Sequence, residues 1–106
     1  DMPARLLVRP NAPAATCVLA DFSDASLRLR AAPDSPLPAM KLHDKVIVEM
    51  DFGDAAPTCR LRGLVFRIAP DSCVVKFHHL DKHGQFVPIE KIDVLEIKTA
   101  LLNRCA

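Results

Sequence analysis

The sequence predicts a mainly β fold: a six-stranded antiparallel β-barrel followed by one C-terminal α-helix. Two observations carry this. Six short runs alternate apolar and polar residues at the two-residue period of a half-buried strand, and they are separated by Pro, Asn, Gly and Asp turn residues. Beyond residue 87 the apolar spacing changes to that of a helix. The chain is 106 residues long and half hydrophobic, enough for one domain with its own core. The reading is a single domain over residues 1–106, with the barrel over about 4–80 and the helix over about 88–104.

The first strand is read over Arg5 to Arg9, with Leu6 and Val8 opposite Arg5, Leu7 and Arg9. Pro10-Asn11-Ala12-Pro13 is a turn, because proline cannot donate to a ladder and asparagine tolerates turn geometry. Thr16 to Phe22 is a second strand, rich in β-branched and apolar residues. Leu27-Arg28-Leu29-Arg30 alternates strictly, so the third strand buries leucine and presents arginine. Pro33, Pro36 and Pro38 make residues 31–41 a loop. Val46 to Phe52 is the fourth strand, and Gly53-Asp54-Ala55-Ala56-Pro57 a hairpin loop. Thr58 to Ala69 is a long fifth strand in which Gly63 marks a bulge or bend. Pro70-Asp71 turns into a sixth strand, Ser72 to His78. Pro88 suits a first helical position, and Glu90 and Asp93 near the start with Lys98 and Arg104 toward the end complement the helix dipole.

Composition narrows the function. A net charge of +1 argues against a bulk polyanion binder, while local arginine clusters suit a small anionic ligand. These are Arg5, Arg9, Arg28 and Arg30 early in the chain, and Arg60, Arg62 and Arg67 in one later strand. No apolar run approaches the roughly 20 residues of a membrane helix, and no signal-peptide pattern opens the chain. A start at Asp1 rather than methionine leaves the sequence upstream of it open. Cys17, Cys59, Cys73 and Cys105 have no C-x-x-C spacing and read as reduced thiols of a cytoplasmic protein.

The stretch with chemical content is Ala20 to Arg30. Its corner, Asp21-x-Ser23-x-x-Ser26, can cap its own backbone and can also present acceptors to a ligand. Elsewhere, His78, His79 and His83 lack the spacing of a zinc site, and no metal is expected. Neither a cysteine nucleophile signature nor a glycine-rich phosphate loop occurs in a chain with three glycines. An enzyme is therefore not expected. Five Phe with no Tyr or Trp make a poor stacking platform for single-stranded nucleic acid.

In order and separation, these pieces resemble a PilZ domain over nearly the whole chain. Asp21, Ser23 and Ser26 followed by Leu27-Arg28-Leu29 fall on its Asp/Asn-x-Ser-x-x-Gly hallmark, with Ser26 standing where the family has Gly. Leu42-x-x-x-Val46-Ile47-Val48, Leu61-Arg62-Gly63-Leu64-Val65-Phe66-Arg67 and Val74-Val75-Lys76-Phe77 resemble its later strands. The resemblance implies a bacterial, cytoplasmic sensor domain that binds the second messenger cyclic di-GMP, with no further cofactor. It also implies a role in motility or biofilm regulation, relayed to a further domain of the same chain or a separate protein.

By that resemblance the ligand residues are Arg5 and Arg9, which read Arg-x-x-x-Arg, with Asp21, Ser23, Ser26 and Arg30. Guanidinium forks grip phosphate oxygens and lie flat on purine faces, and a carboxylate accepts from guanine N–H groups. The family's arginine pair lies before its first strand, whereas Arg5 and Arg9 read as part of one, which leaves a clamp upstream of Asp1, or none, as alternatives. A degenerate PilZ domain that binds no nucleotide and works through protein contacts is the competing expectation. The terminal helix, with more apolar residues than one barrel contact needs, leaves room for a homodimer through it.

Overall fold

The computed structural model describes residues 2–8, 13–54 and 56–105, and of residues 104 and 105 the backbone alone. Seven strands and one helix follow in the order β1 (Met2–Leu7), β2 (Ala15–Phe22), β3 (Ser26–Ala31), β4 (Lys45–Met50), β5 (Cys59–Ile68), β6 (Ser72–Lys82), β7 (Gln85–Pro88) and α1 (Lys91–Cys105). The sheet order is β3-β2-β1-β4-β5-β6-β7, and β3 also pairs with β6. That last pairing closes β1 to β6 into an antiparallel barrel and leaves β7 outside it. Closure satisfies both edges of the six-stranded sheet, which would otherwise present unpaired backbone groups.

Alternation places the core as the sequence requires. Leu6, Leu27, Leu29, Val46, Val48, Met50, Leu61, Val65 and Val75 point into the barrel and are almost completely buried. Each such side chain contributes on the order of 2 kcal/mol by leaving water. Val94, Ile97 and Ala100 of α1 join the same core, so the helix covers the barrel beside the corner between β2 and β3.

Curling six short strands this tightly needs irregularities. Register shifts occur between Leu19 and Asp21, between Arg62 and Gly63, and between Val65 and Arg67. At Gly63 the Lys76 carbonyl oxygen would lie 2.1 Å from any added Cβ, so β5 and β6 approach each other more closely than a side chain permits.

Three sequence expectations are corrected. The first strand begins earlier, at Met2, and ends at Leu7. The sixth runs on to Lys82 and turns back as β7, through His83 and Gly84 at φ of 56° and 86°. Two consecutive residues in the left-handed region make the turn type that matches strand twist. The helix therefore starts at Lys91, and Pro88 closes β7 as the partner of His79. Proline is tolerated there because β7 is an edge strand with one side unpaired.

The helix start is marked by a side-chain cap from Asp93. The Glu90 backbone N–H donates to Asp93 Oδ2 at 2.9 Å, the backward half of a capping box. Asp93 is buried, and its Oδ1 lies 3.1 Å from Lys82 Nζ, which ties the helix to the end of β6. The Glu90 hydrogen bond, with Lys82 in support and burial opposing, holds the Asp93 carboxyl below its ordinary value of 3.8.

Two outcomes follow from this packing. Gly63→Ala should destabilise the protein by at least about 2 kcal/mol, since backbone must move to admit a methyl group; denaturant unfolding measures it. Asp93→Asn should cost about 1–2 kcal/mol at neutral pH. A carboxyl with a lowered folded-state pKa stabilises above its unfolded value and loses that contribution as pH falls through the folded one. Thermal unfolding from neutral pH down to about 2 should accordingly show the variant approaching the parent on the acid side.

Candidate functional site

The corner between β2 and β3 is built largely from its own side chains. Ser23 N–H donates to Ser26 O at 2.8 Å, and Ser23 Oγ lies 3.0 Å from the same carbonyl oxygen. Ser26 N–H donates to Ser23 Oγ at 3.2 Å, and the two hydroxyls lie 3.1 Å apart. The Ser23 hydroxyl, with one proton and two lone pairs, is thereby saturated inside the turn. Phe77 N–H donates to Ala25 O at 3.1 Å, and the rings of Phe22 and Phe77 stack with centroids 5.1 Å apart, anchoring the corner to β6. Asp24 pairs with Lys98 of α1, which lowers the Asp24 carboxyl from 3.8. Ser26, where the resembled family has Gly, is not among the residues with positive φ, so its Cβ imposes no backbone strain.

The shift after Leu19 brings Asp21 opposite Arg28 across the β2–β3 ladder. Asp21 Oδ2 and Arg28 Nη2 form an exposed ion pair at 2.7 Å. Arg30, two residues on, shares the outward face of β3.

Arg28 also belongs to a second feature. Across β6, an open groove of about 530 Å³ runs along the outside of the barrel, lined by Arg28, Leu42, Phe66, Arg67, Ile68 and Val74 among others. Leu42, Phe66 and Ile68 are exposed there. Lys76 Nζ sits 4.0 Å from the centre of the Phe66 ring, a cation–π contact. A tight turn holds Leu42 in place: Asp44 N–H donates to Lys41 O at 3.1 Å, His43 takes a φ of 71°, and His43 N–H donates to Val65 O at 2.7 Å. The corner and groove together offer the guanidinium groups of Arg28, Arg30 and Arg67, an aromatic face, aliphatic walls and the carboxylates of Asp21 and Asp24.

The sequence expectation separates into parts. Asp21, Ser23, Ser26 and Arg30 lie together, and Arg28, which is not among the expected ligand residues, joins them through its ion pair with Asp21. Arg5 lies elsewhere: it is paired across the ladder with Thr16, five residues and roughly 15 Å along β2 from Asp21. Its guanidinium faces Glu49 at 2.9 Å. Glu49 Oε2 also lies 3.1 Å from Arg60 Nε, without hydrogen-bond geometry, and Arg60 Nη1 reaches Asp81 at 3.2 Å. Arg9 lies outside the described residues.

The later arginine cluster also divides. Arg60 and Arg62 stand over the Phe86 ring at 5.7 and 4.9 Å, while the shift after Val65 carries Arg67 to the groove. Arg67 belongs to the later arginine cluster of the sequence reading, whereas Phe66 carries no ligand role there. Its signal is the second apolar row of β5, Leu64-Phe66-Ile68, alternating with the buried Leu61 and Val65.

Compared with known proteins, the chain matches no protein-family model and no curated protein. Among the described residues no helix is long and apolar enough to cross a membrane.

Of the three cysteines whose side chains are described, Cys73 borders the groove from within β6, with its thiol buried, while Cys17 and Cys59 do not line it. Burial pushes Cys17 and Cys59 up to about 12 and Cys73 up to about 11, so none is a ready thiolate at neutral pH. Iodoacetamide at about pH 8 should leave these three unmodified in the folded protein and alkylate all three in denaturant. Peptide mass spectrometry reads the pattern, and native labelling of Cys17 or Cys73 would mean that the barrel opens.

Proposed function

We propose that this domain is a cyclic di-GMP receptor module of the PilZ type, binding the nucleotide on the outer barrel face between the Asp21 corner and the Phe66 groove. The observation that carries the reading is the double membership of Arg28, which is ion-paired to Asp21 and lines the groove. A dianionic ligand reaching Arg28 would compete with Asp21 for its guanidinium. The released carboxylate is then an acceptor for guanine N–H groups. Arg67 is the second phosphate partner, Arg30 extends the cationic edge, and Phe66 offers a face to a purine. Ser23 and Ser26 frame the corner. Occupancy would be relayed to another domain of the chain or to a separate protein, as the resemblance implies for a bacterial signalling module.

A specific observation favours the second reading, a degenerate PilZ domain that acts through protein contacts. The Ser23 hydroxyl is spent within the turn, Asp21 is engaged by Arg28, and Arg5 is held by Glu49 far from both.

Isothermal titration of cyclic di-GMP into the chain separates the two. The receptor reading expects micromolar or tighter binding, about 8 kcal/mol or more. Arg28→Ala, Arg67→Ala and Asp21→Ala should each weaken it about tenfold or more, and Arg5→Ala should leave it unchanged. Absence of heat with the folded protein would overturn binding by this surface alone, and titration of the full-length protein then separates a clamp upstream of Asp1 from the protein-contact reading.

A further inference from the structure

Helix α1 carries apolar residues on two opposite sides. Val94, Ile97 and Ala100 pack into the barrel core, with Leu101 partly buried against it. On the far side Ile92, Leu95 and Leu102 are 54%, 58% and 73% exposed, and Thr99 is exposed with them. Residues 92, 95, 99 and 102 follow the three-then-four spacing of a coiled-coil seam, with positions a, d, a and d in two successive heptads. The barrel-facing residues then occupy positions b, c and f, directly behind that seam. We propose that this stripe is a self-association surface, on which α1 of a second copy packs side by side in parallel.

Three features select that occupant and that orientation. Ile92 and Thr99, both β-branched, hold the a positions and Leu95 and Leu102 hold d, the arrangement that favours two strands in a parallel coil. The Thr99 hydroxyl donates to Leu95 O at 2.9 Å within its own helix, so Thr99 presents its methyl group to the seam without an unsatisfied donor. The flanking charges discriminate direction. Position g is filled by Lys91 and Lys98, and position e by Glu96 and Asn103. In a parallel pair each g residue faces the e residue five positions on in the partner copy, so Lys91 meets Glu96 twice by symmetry. An antiparallel pair would instead set Lys91 against Lys98. Lys98 is already committed to Asp24 of its own protomer, which leaves Lys91 as the cation for the seam.

Leu95 borders a cavity that Asp24 of the β2–β3 corner also lines, but no seam contact uses Asp21 or Arg28, so the proposal does not depend on nucleotide binding there.

Sedimentation equilibrium of the chain between about 10 µM and about 1 mM, the range in which so small an interface associates, tests it. The mass should rise toward twice the 11.6 kDa of one chain. Leu95→Glu should hold it at the monomer value, with an unchanged circular dichroism spectrum because Leu95 lies outside the core. Glu96→Lys should weaken association about tenfold or more, and Lys91→Glu combined with Glu96→Lys should restore it. In a Cys105→Ser background, Leu102→Cys should oxidise to a disulfide-linked dimer, since equivalent d positions meet in a parallel pair. A monomer mass throughout, or association that survives Leu95→Glu, would overturn the surface. Crosslinking only between Ile92→Cys and Leu102→Cys chains would overturn the orientation.

Discussion

The Lys76 carbonyl oxygen stands where a side chain at residue 63 would begin, and the shape of the barrel depends on that approach. Strands β5 and β6 are the longest in the sheet, and a straight pairing along ten residues would carry β6 away from β3. The shift at Gly63 and the second shift past Val65 bend the pair, adding the local twist that bulges supply. β6 then reaches β3 along Ser26–Arg30 and Ser72–Lys76, and the sheet closes. With closure every inward residue of six strands meets its neighbours in one core.

The same irregularities distribute the surface chemistry. An uninterrupted β2 ladder would not set Asp21 opposite Arg28; the shift after Leu19 does. The shift after Val65 turns Phe66 and Arg67 toward β6 and opens the groove beside Arg28, while Arg60 and Arg62 remain on the wall with Phe86. Barrel curvature and the placement of the corner and groove side chains therefore have one structural cause. The corner itself is held by hydrogen bonds between Ser23 and Ser26, beside the Asp21–Arg28 ion pair.

The C-terminal part adds a second surface. The His83–Gly84 turn lays β7 along β6, and the capping of Glu90 by Asp93 fixes where the helix begins. Lys82 and Asp24, from two separate strand ends, then hold α1 against the barrel through Asp93 and Lys98. A helix pinned in this way exposes a fixed stripe to solvent, and this gives the outward Ile92, Leu95 and Leu102 a defined geometry.

By itself the sequence determined the class of fold, because strand alternation and helix period are local patterns that burial enforces. Leu27-Arg28-Leu29-Arg30 could be read as a strand with one buried face without knowing its partners, and Gly63 as a bend without knowing what approached it. The corner Asp21-x-Ser23-x-x-Ser26 was legible as a turn with polar content for the same reason. Only the tertiary structure decided which of these groups meet. Pairing with Thr16 and Glu49 takes Arg5 away from the corner, a single shift brings Asp21 to Arg28, and Phe66 joins the site across a strand far away in sequence. Strand register is a non-local quantity, since a one-residue slip sends every side chain to the other face. β7 has no signal of its own in the sequence because its four residues show no independent period, and pairing with β6 alone makes them a strand. The helix start moved for the same cause, as Pro88 suits both a helix opening and a sheet edge, and the edge of β6 was available to it.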